Sequence, residues 1–242
     1  MGRAYEVRKA AMAKTSAAKA KIYSRYGKEI YQAAKSGIPD PEMNLSLKRL
    51  VDKAKKDQVP ADVIKRAIEK ATSGVGEDYT TNRYEGFGPN GSTIVVDCMT
   101  DNVNRTISEV RNCFTKTHNK LGVAGSVTHM YNEWAVISFK GLTEEETLET
   151  LLMAEIDIID LEEEEGQITV YGQPQDLYNI KTTLEEAKPD LEIDMDEITL
   201  IPMNYVKLEG EDLENFNRLL QMLDDVDDVD KVYHNVELND EE

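Results

Sequence analysis

The chain has 242 residues, 40% of them hydrophobic, and a formal net charge of −19, so it is long enough for two to three small domains with buried cores. It has no apolar run of the roughly 20 residues that a membrane-spanning helix needs and no secretory segment, so we expect a cytoplasmic protein without a membrane partner. Cys98 and Cys113 match neither a disulfide framework nor a zinc motif, and we expect both to be buried thiols, with no bound metal.

The charge is divided unevenly along the chain. Residues 1–70 carry 17 Lys and Arg against 8 Asp and Glu, a net charge of +9, whereas residues 71–242 carry 11 against 39, a net charge of −28. Because the screening length at physiological salt is only about 8 Å, a basic module can attract phosphate while an acidic body lies farther away. The N-terminal part is therefore a candidate polyanion-binding module, the alternative being an ordinary solvated face of lysines.

Three helices are predicted in this basic part, after an arm of about 16 residues that we expect to order only on docking or on a partner. Apolar residues at three-to-four spacing between 22 and 34 indicate the first helix, which ends at Gly37. Asp40, Pro41 and Glu42 have the pattern of a helix start, and a third helix is predicted from about Pro60 to residue 73. We therefore predict a basic three-helix module over residues 1–76.

Basic side chains of the arm, of these helices and of one later helix are the candidates for contacting nucleic acid. Arg105 and Arg111 are included because they lie on a predicted helix that Asn102 can cap. The structural alternative is that both arginines pair with acids of the body, for instance Glu85 or Glu109. The predicted nucleic-acid-binding residues are Arg3, Arg8, Lys9, Lys14, Lys19, Lys21, Arg25, Lys28, Lys35, Lys48, Arg49, Lys53, Arg105, Arg111 and Lys116.

Gly86, Gly88 and Gly91 have the G-x-G-x-x-G spacing of a dinucleotide-binding loop. Such a loop leaves a strand and opens a helix, so that backbone N–H groups and the helix N-terminus meet a pyrophosphate. Here the glycines come before a β-branched run, residues 93–99, which predicts a strand. We therefore expect a turn at this position and no cofactor.

Strands and helices alternate in the rest of the chain. Residues 135–202 have the β-α-β-β-α-β order of a ferredoxin-like domain, with Thr143 and Glu146 as a capping box at its first helix. A short strand is predicted at 126–131. The predicted class is α+β: the three-helix module is followed by two ferredoxin-like α/β domains, a discontinuous one (77–132 plus 204–242) and one inserted into it (133–203).

The acidic residues offer no catalytic constellation. They lie in runs at 144–146, 162–165 and 224–230, which are typical of solvated helix ends and turns. No candidate nucleophile has a base positioned beside it, so we expect neither catalysis nor a small-molecule substrate.

Short motifs spread over almost the whole chain match one known family. They include SRYGKEI at 24–30, PDPE at 39–42, RYEGFGPNG at 83–91, NVNRT at 102–106, GSV at 125–127 and VYHN at 232–235. On these motifs the chain resembles the YebC family, which includes bacterial proteins described as transcriptional regulators and a mitochondrial translational activator. The resemblance implies three domains, a cytoplasmic location, and a non-catalytic role in gene expression. It also implies that the glycine motif at 86–91 lies in a hinge region between domains. The sequence departs from the family pattern at Tyr5, at Thr15 and at residues 118–120.

Two functions follow as hypotheses. In the first, the protein is a DNA-binding transcriptional regulator whose basic module meets phosphates, acting as a monomer. In the second, it is a ribosome-associated translation factor that binds ribosomal RNA and assists elongation, which the absence of an evident base-reading helix favours. A third option is that the acidic domains bind another protein.

Overall fold

The fold begins with three helices and continues with strands and helices in alternation. The computed structural model describes residues 16–73 and 78–237, with side chains from residue 19 onward, so Arg3, Arg8, Lys9 and Lys14 lie outside the described residues. The helices are α1 (Ser16–Lys35), α2 (Leu45–Lys56), α3 (Ala61–Thr72), α4 (Val103–Lys116), α5 (Glu144–Met153), α6 (Leu177–Ala187) and α7 (Gly210–Asp224). The strands are β1 (Thr80–Phe87), β2 (Thr93–Thr100), β3 (Lys120–Leu121), β4 (Tyr131–Lys140), β5 (Asp160–Glu164), β6 (Gln167–Gly172), β7 (Glu192–Pro202) and β8 (Val229–His234).

The described residues fall into two compact units. Residues 16–73, 78–126 and 208–232 form the first, and residues 127–207 and 233–237 form the second. The helical module and the first sheet therefore belong to one unit, and the separation into three domains stays a prediction. None of the helices in the described ranges is both long and apolar enough to cross a membrane.

The helical module packs as its apolar spacing predicts. Tyr26 and Ile30 of α1 meet Leu47 and Val51 of α2 in one buried cluster, to which α3 adds Ile64. The predicted start of α2 at residues 40–42 is wrong. Asp40 instead accepts the Glu42 N–H (3.0 Å) in a local turn, and α2 begins after Asn44, whose side chain accepts the Leu47 N–H at 3.1 Å.

The sheet of the first unit has the strand order β3-β1-β2-β8. Its β1 and β2 form an antiparallel hairpin from the Thr80–Thr100 pair to the Phe87–Thr93 pair. The buried rings of Phe114 on α4 and Phe216 on α7 contribute to the core of this unit. Cys98 and Cys113 are also buried, as expected, and burial raises the pKa of both thiols.

The glycine motif lies within this hairpin, so its predicted placement in an inter-domain hinge is wrong. Gly86 is inside β1, and a Cβ there would lie 2.6 Å from Cζ of Phe114. Gly91 has a φ of +77° in the 3₁₀ turn that joins β1 to β2. The spacing therefore reflects close helix packing and a left-handed turn residue.

The sheet of the second unit has the order β5-β6-β4-β7, with antiparallel neighbours. Its first strand lies at an inner position, as the β-α-β-β-α-β order requires. Ile137 and Phe139 on β4, with Val170 on β6, pack against Leu151 of α5 and Ile180 of α6. The strand predicted at 126–131 is wrong, because Thr128–Met130 is a 3₁₀ turn and β4 starts at Tyr131.

Candidate nucleic-acid interface

One face of α1 carries three of the predicted binding residues at helical spacing, and all three contact acids. Lys21 Nζ lies 3.4 Å from Asp224 Oδ1, and Arg25 Nε lies 3.4 Å from Asp230 Oδ1. Lys28 Nζ lies 3.3 Å from Asp228 Oδ1 and donates to the Asp227 carbonyl at 3.0 Å. This basic face therefore docks on the acidic segment 224–230 of the same unit.

Asp228 is the centre of this contact. Only 4% of the residue is exposed, and its Oδ2 accepts two hydrogen bonds from the Arg105 guanidinium, at 3.1 and 2.7 Å. The hydroxyls of Thr100 (3.0 Å) and Thr106 (2.9 Å) donate to the same oxygen. Burial opposes ionisation, but these donors and the Lys28 ammonium hold the pKa of Asp228 below its ordinary value. A charged carboxylate thus links α1, β2, α4 and the start of β8.

Arg105 is therefore engaged inside the protein, as the structural alternative anticipated, although with other partners. It pairs with Asp228 and, at 2.7 Å, with Asp101 one turn earlier, rather than with Glu85 or Glu109. The hydrogen bonds that Arg105 donates to Asp228 and Asp101 raise the pKa of its guanidinium further.

Beside Asp228 lies an open cleft of about 700 Å³. Lys28 and Arg105 line it, but so do five carboxylates: Asp101, Glu109, Asp225, Asp227 and Asp228. Phosphate entering here would meet an excess of negative charge, so the cleft is a poor place for a nucleic-acid backbone.

Glu29 and Asp230 form an acidic pair where α1 meets β8. The Glu29 carboxyl shares Arg25 with Asp230, and the Arg25 Nε atom lies 3.7 Å from Glu29. Burial, followed by the neighbouring Asp230 charge, raises the pKa of Glu29 to about 7. We therefore expect the charge of this contact between α1 and the acidic segment to change near neutral pH.

The remaining predicted residues of the helical module are more available. Lys19 is exposed and Arg49 half-buried, and within the described chain neither has an acidic partner. Lys48 pairs with Glu42 at 3.0 Å, and Lys35 pairs with Asp78 beside the Tyr31 ring. These are surface pairs of the kind that solvent and competing phosphates readily exchange.

The side of α2 opposite its buried residues carries a basic stripe. At about 100° per residue, Arg49, Lys53 and Lys56 fall within about 60° of one another, facing away from Leu47 and Val51. Lys56 was not among the predicted binding residues, although its i+7 spacing from Arg49 places it on the same side of the helix and could have identified it. We call Arg49, Lys53 and Lys56 the α2 stripe.

Arg111 and Lys116 lie on α4 beyond Arg105. Both are exposed, and neither has an ion-pair partner among the described residues. Unlike Arg105, they are therefore open to a ligand, on a helix that Asn102 caps by accepting the Arg105 N–H at 3.1 Å.

Comparison with known proteins identifies relatives over nearly the full length of the chain. A family model described as the TACO1/YebC N-terminal domain matches residues 3–74, and one described as the TACO1/YebC second and third domain matches residues 79–236. A protein of Vibrio campbellii named "Probable transcriptional regulatory protein" is 57% identical over 238 residues, covering 98% of this chain and all of the relative. A relative of the same name from Pseudoalteromonas atlantica is 55% identical over 235 residues, covering 97% of each chain. The crystal structure of a conserved hypothetical protein from Aquifex aeolicus matches with a TM-score of 0.80 at 34% identity, covering 95% of this chain and 94% of that one.

Proposed function

Since the chain belongs to the TACO1/YebC family, we propose that it is a non-enzymatic regulator of gene expression that binds nucleic acid through its helical module. The names of its relatives support a role in transcription. The partner that we propose for this role is duplex DNA. In this proposal the protein acts in the cytoplasm, as a monomer, and uses neither a cofactor nor a small-molecule substrate.

The observation that carries the proposal is the α2 stripe. The basic face of α1 is occupied by Asp224, Asp228 and Asp230, whereas the α2 stripe lies on the opposite side of its helix from the core. Basic side chains clustered on the solvent side of one helix are the usual electrostatic footprint of a phosphate-binding surface. Arg111 and Lys116 on α4 add two further exposed charges of the same kind.

The composition of α2 also favours a second candidate function. Its solvent side carries Lys and Arg, and its sequence, LSLKRLVDKAKK, contains no Asn or Gln that could pair with adenine edges. Such a surface suits recognition of a phosphate backbone by shape, which is how folded RNA is bound. The alternative is therefore a ribosome-associated translation factor that contacts ribosomal RNA.

The test is a binding titration with the full chain, measured by fluorescence anisotropy on a DNA duplex and on a fragment of ribosomal RNA. The triple variant Arg49→Ala, Lys53→Ala, Lys56→Ala should weaken binding and lower the slope of log affinity against log salt by about 2 to 3, at 0.7–0.9 per lost phosphate contact. The matched control removes three positive charges elsewhere, by Lys140→Ala, Lys188→Ala and Lys207→Ala, and should leave the slope unchanged.

Equal slopes for the triple variant and the wild type would contradict the proposal. Sedimentation of cell extract on a sucrose gradient then separates the two candidates. Co-migration with ribosomes that is lost in the triple variant favours the translation factor, whereas tighter binding to duplex with no co-migration favours the transcriptional regulator.

A further inference from the structure

The second unit carries a groove beside α5 that plays no part in the proposed nucleic-acid contact. The groove has a volume of about 1010 Å³ and is bounded by α5, the loop that follows it, and β5. Leu148 and Leu152, at i and i+4 on α5, form one wall and are 42% and 77% exposed. The half-buried Ile156 and Ile158, which pack on the core of the unit, form the floor.

Helix geometry explains why these leucines are open to solvent. A capping box sets the start of α5. In it, the Thr143 hydroxyl accepts the Glu146 N–H (3.2 Å), and the Thr143 N–H donates to Glu146 Oε2 (2.8 Å). This start turns Thr147 and Leu151 to the core. Leu148 and Leu152 follow one position later, about 100° around the helix. Isolated exposed leucines are common, but these two lie one helical turn apart beside Ile156 and Ile158, so their apolar side chains line one groove.

The rim of the groove is uniformly acidic. Its charged lining residues are Glu144, Glu145, Glu149, Asp157 and Glu163, and no Lys or Arg lines it. None of these five carboxylates forms an ion pair within the described parts of the chain. Carboxylates left unpaired around an apolar strip offer charge complementarity to a cationic partner.

We propose that this groove, here called the α5 groove, binds a cationic amphipathic helix of another protein. Apolar side chains at i, i+4 and i+7 of that helix would pack on Leu148, Leu152 and Ile156, and flanking Lys or Arg would meet the acidic rim. Nucleic acid is repelled by the same charges. A second copy of the groove would set five carboxylates against five, so symmetric self-association on this face is disfavoured.

The probe for this proposal is a synthetic 18-residue peptide of leucine and lysine with its leucines on one helical face, labelled for fluorescence anisotropy. Two control peptides accompany it: one has the same composition in scrambled order, and the other has glutamate in place of lysine. The full-length protein should bind the amphipathic peptide at least tenfold more tightly than the scrambled one, because only the former aligns its leucines with the groove.

Variants of the groove separate its apolar and charged parts. Leu148→Ser with Leu152→Ser should lower affinity by about tenfold or more, since hot spots at interfaces are buried apolar anchors. Glu144→Gln, Glu145→Gln and Glu149→Gln should weaken binding and reduce its salt dependence. The matched control, Glu186→Gln, Asp190→Asn and Glu192→Gln, removes three acids from another part of the same unit and should have little effect.

The outcomes are decisive in either direction. Equal affinity for the amphipathic and scrambled peptides, or equal losses from the groove and control acids, would mean that only net charge attracts the peptide and would overturn the proposal. Circular dichroism of each variant at the assay temperature confirms that the unit remains folded. If the double serine variant unfolds, Leu152→Ala alone serves, because Leu152 is largely exposed and its truncation leaves the core intact.

Discussion

Replacing Asp228 by Asn tests whether the ion pairs and hydrogen bonds of the Asp228 carboxylate hold α1 and the first sheet together. Oδ2 of Asp228 accepts from Arg105, Thr100 and Thr106, while Oδ1 faces the Lys28 ammonium at 3.3 Å. The Asn amide can keep its oxygen at one of these positions only. If the oxygen faces Arg105, the NH₂ group points at Lys28, donor against donor, and the negative charge is lost in either orientation.

The size of the effect follows from the burial of the partners. Breaking a fully buried ion pair costs about 3–5 kcal/mol, but the Arg105 side chain is 43% exposed and Lys28 is 18% exposed, so water takes over part of their solvation. We therefore expect Asp228→Asn to lower the free energy of unfolding by about 2–3 kcal/mol. At about 2–4 °C per kcal/mol for a chain of this size, the Tm should fall by about 4–12 °C.

The matched control is Asp224→Asn, which removes the same charge from the same segment. Its side chain is 64% exposed and pairs with Lys21 at the surface, so its cost should stay below about 1 kcal/mol. Unfolding is followed by far-UV circular dichroism in urea at pH 7. If the two variants lose the same stability, the cluster around Asp228 contributes no more than a surface pair, and the reasoning fails.

Three further predictions concern single substitutions. Burial and the neighbouring Asp230 raise the pKa of Glu29 to about 7. The stability of the wild type relative to Glu29→Gln should therefore fall as pH rises from about 4.5 through 7, so that the variant is the more stable protein at pH 8 by about 1–3 kcal/mol; the Tm of both proteins is measured across a pH series. Gly86→Ala should destabilise the first unit by about 1–3 kcal/mol, because the added methyl group overlaps the Phe114 ring. Gly91→Asn is the control and should be tolerated, since Gly91 has a left-handed φ and open space around it. Equal Tm values for Gly86→Ala and the wild type would show that Gly86 is not needed for packing against Phe114. Arg105→Ala should lower the Tm, because Arg105 pairs with Asp228, and should have little direct effect on nucleic-acid affinity. Arg111→Ala should weaken nucleic-acid binding and leave the Tm unchanged, because Arg111 is exposed. Thermal melting and fluorescence anisotropy of both variants test this, and the reverse pattern would exchange the roles of the two arginines.

Much of the local structure could be predicted because its causes are local. The apolar spacing in α1, the N-cap at Asn102 and the capping box at Thr143 act over one or two helical turns, so they can be recognised in the sequence. The β-α-β-β-α-β order likewise predicts the inner position of β4. The wrongly predicted start of α2 also concerned local structure. Asp40 and Asn44 both have capping side chains, but the Asn44 amide also donates to the Ala33 (3.0 Å) and Ile38 (2.9 Å) carbonyls, contacts that the sequence does not show.

The candidate site was less predictable, because the net charge of a segment can be counted in the sequence, whereas ion pairs depend on which side chains the fold brings together. The basic character of residues 1–70 is legible from composition, but the sequence does not show which of its charges are already paired. Arg105 and Asp228 are separated by 123 residues, and Lys28 and Asp228 by 200, so no local pattern links them. The sequence thus determined the excess of positive charge and the helices that carry it. Only the tertiary structure directed the α1 face to the acidic segment and left the α2 stripe facing away from the core, because only folding brings distant charges within the few ångströms at which they pair.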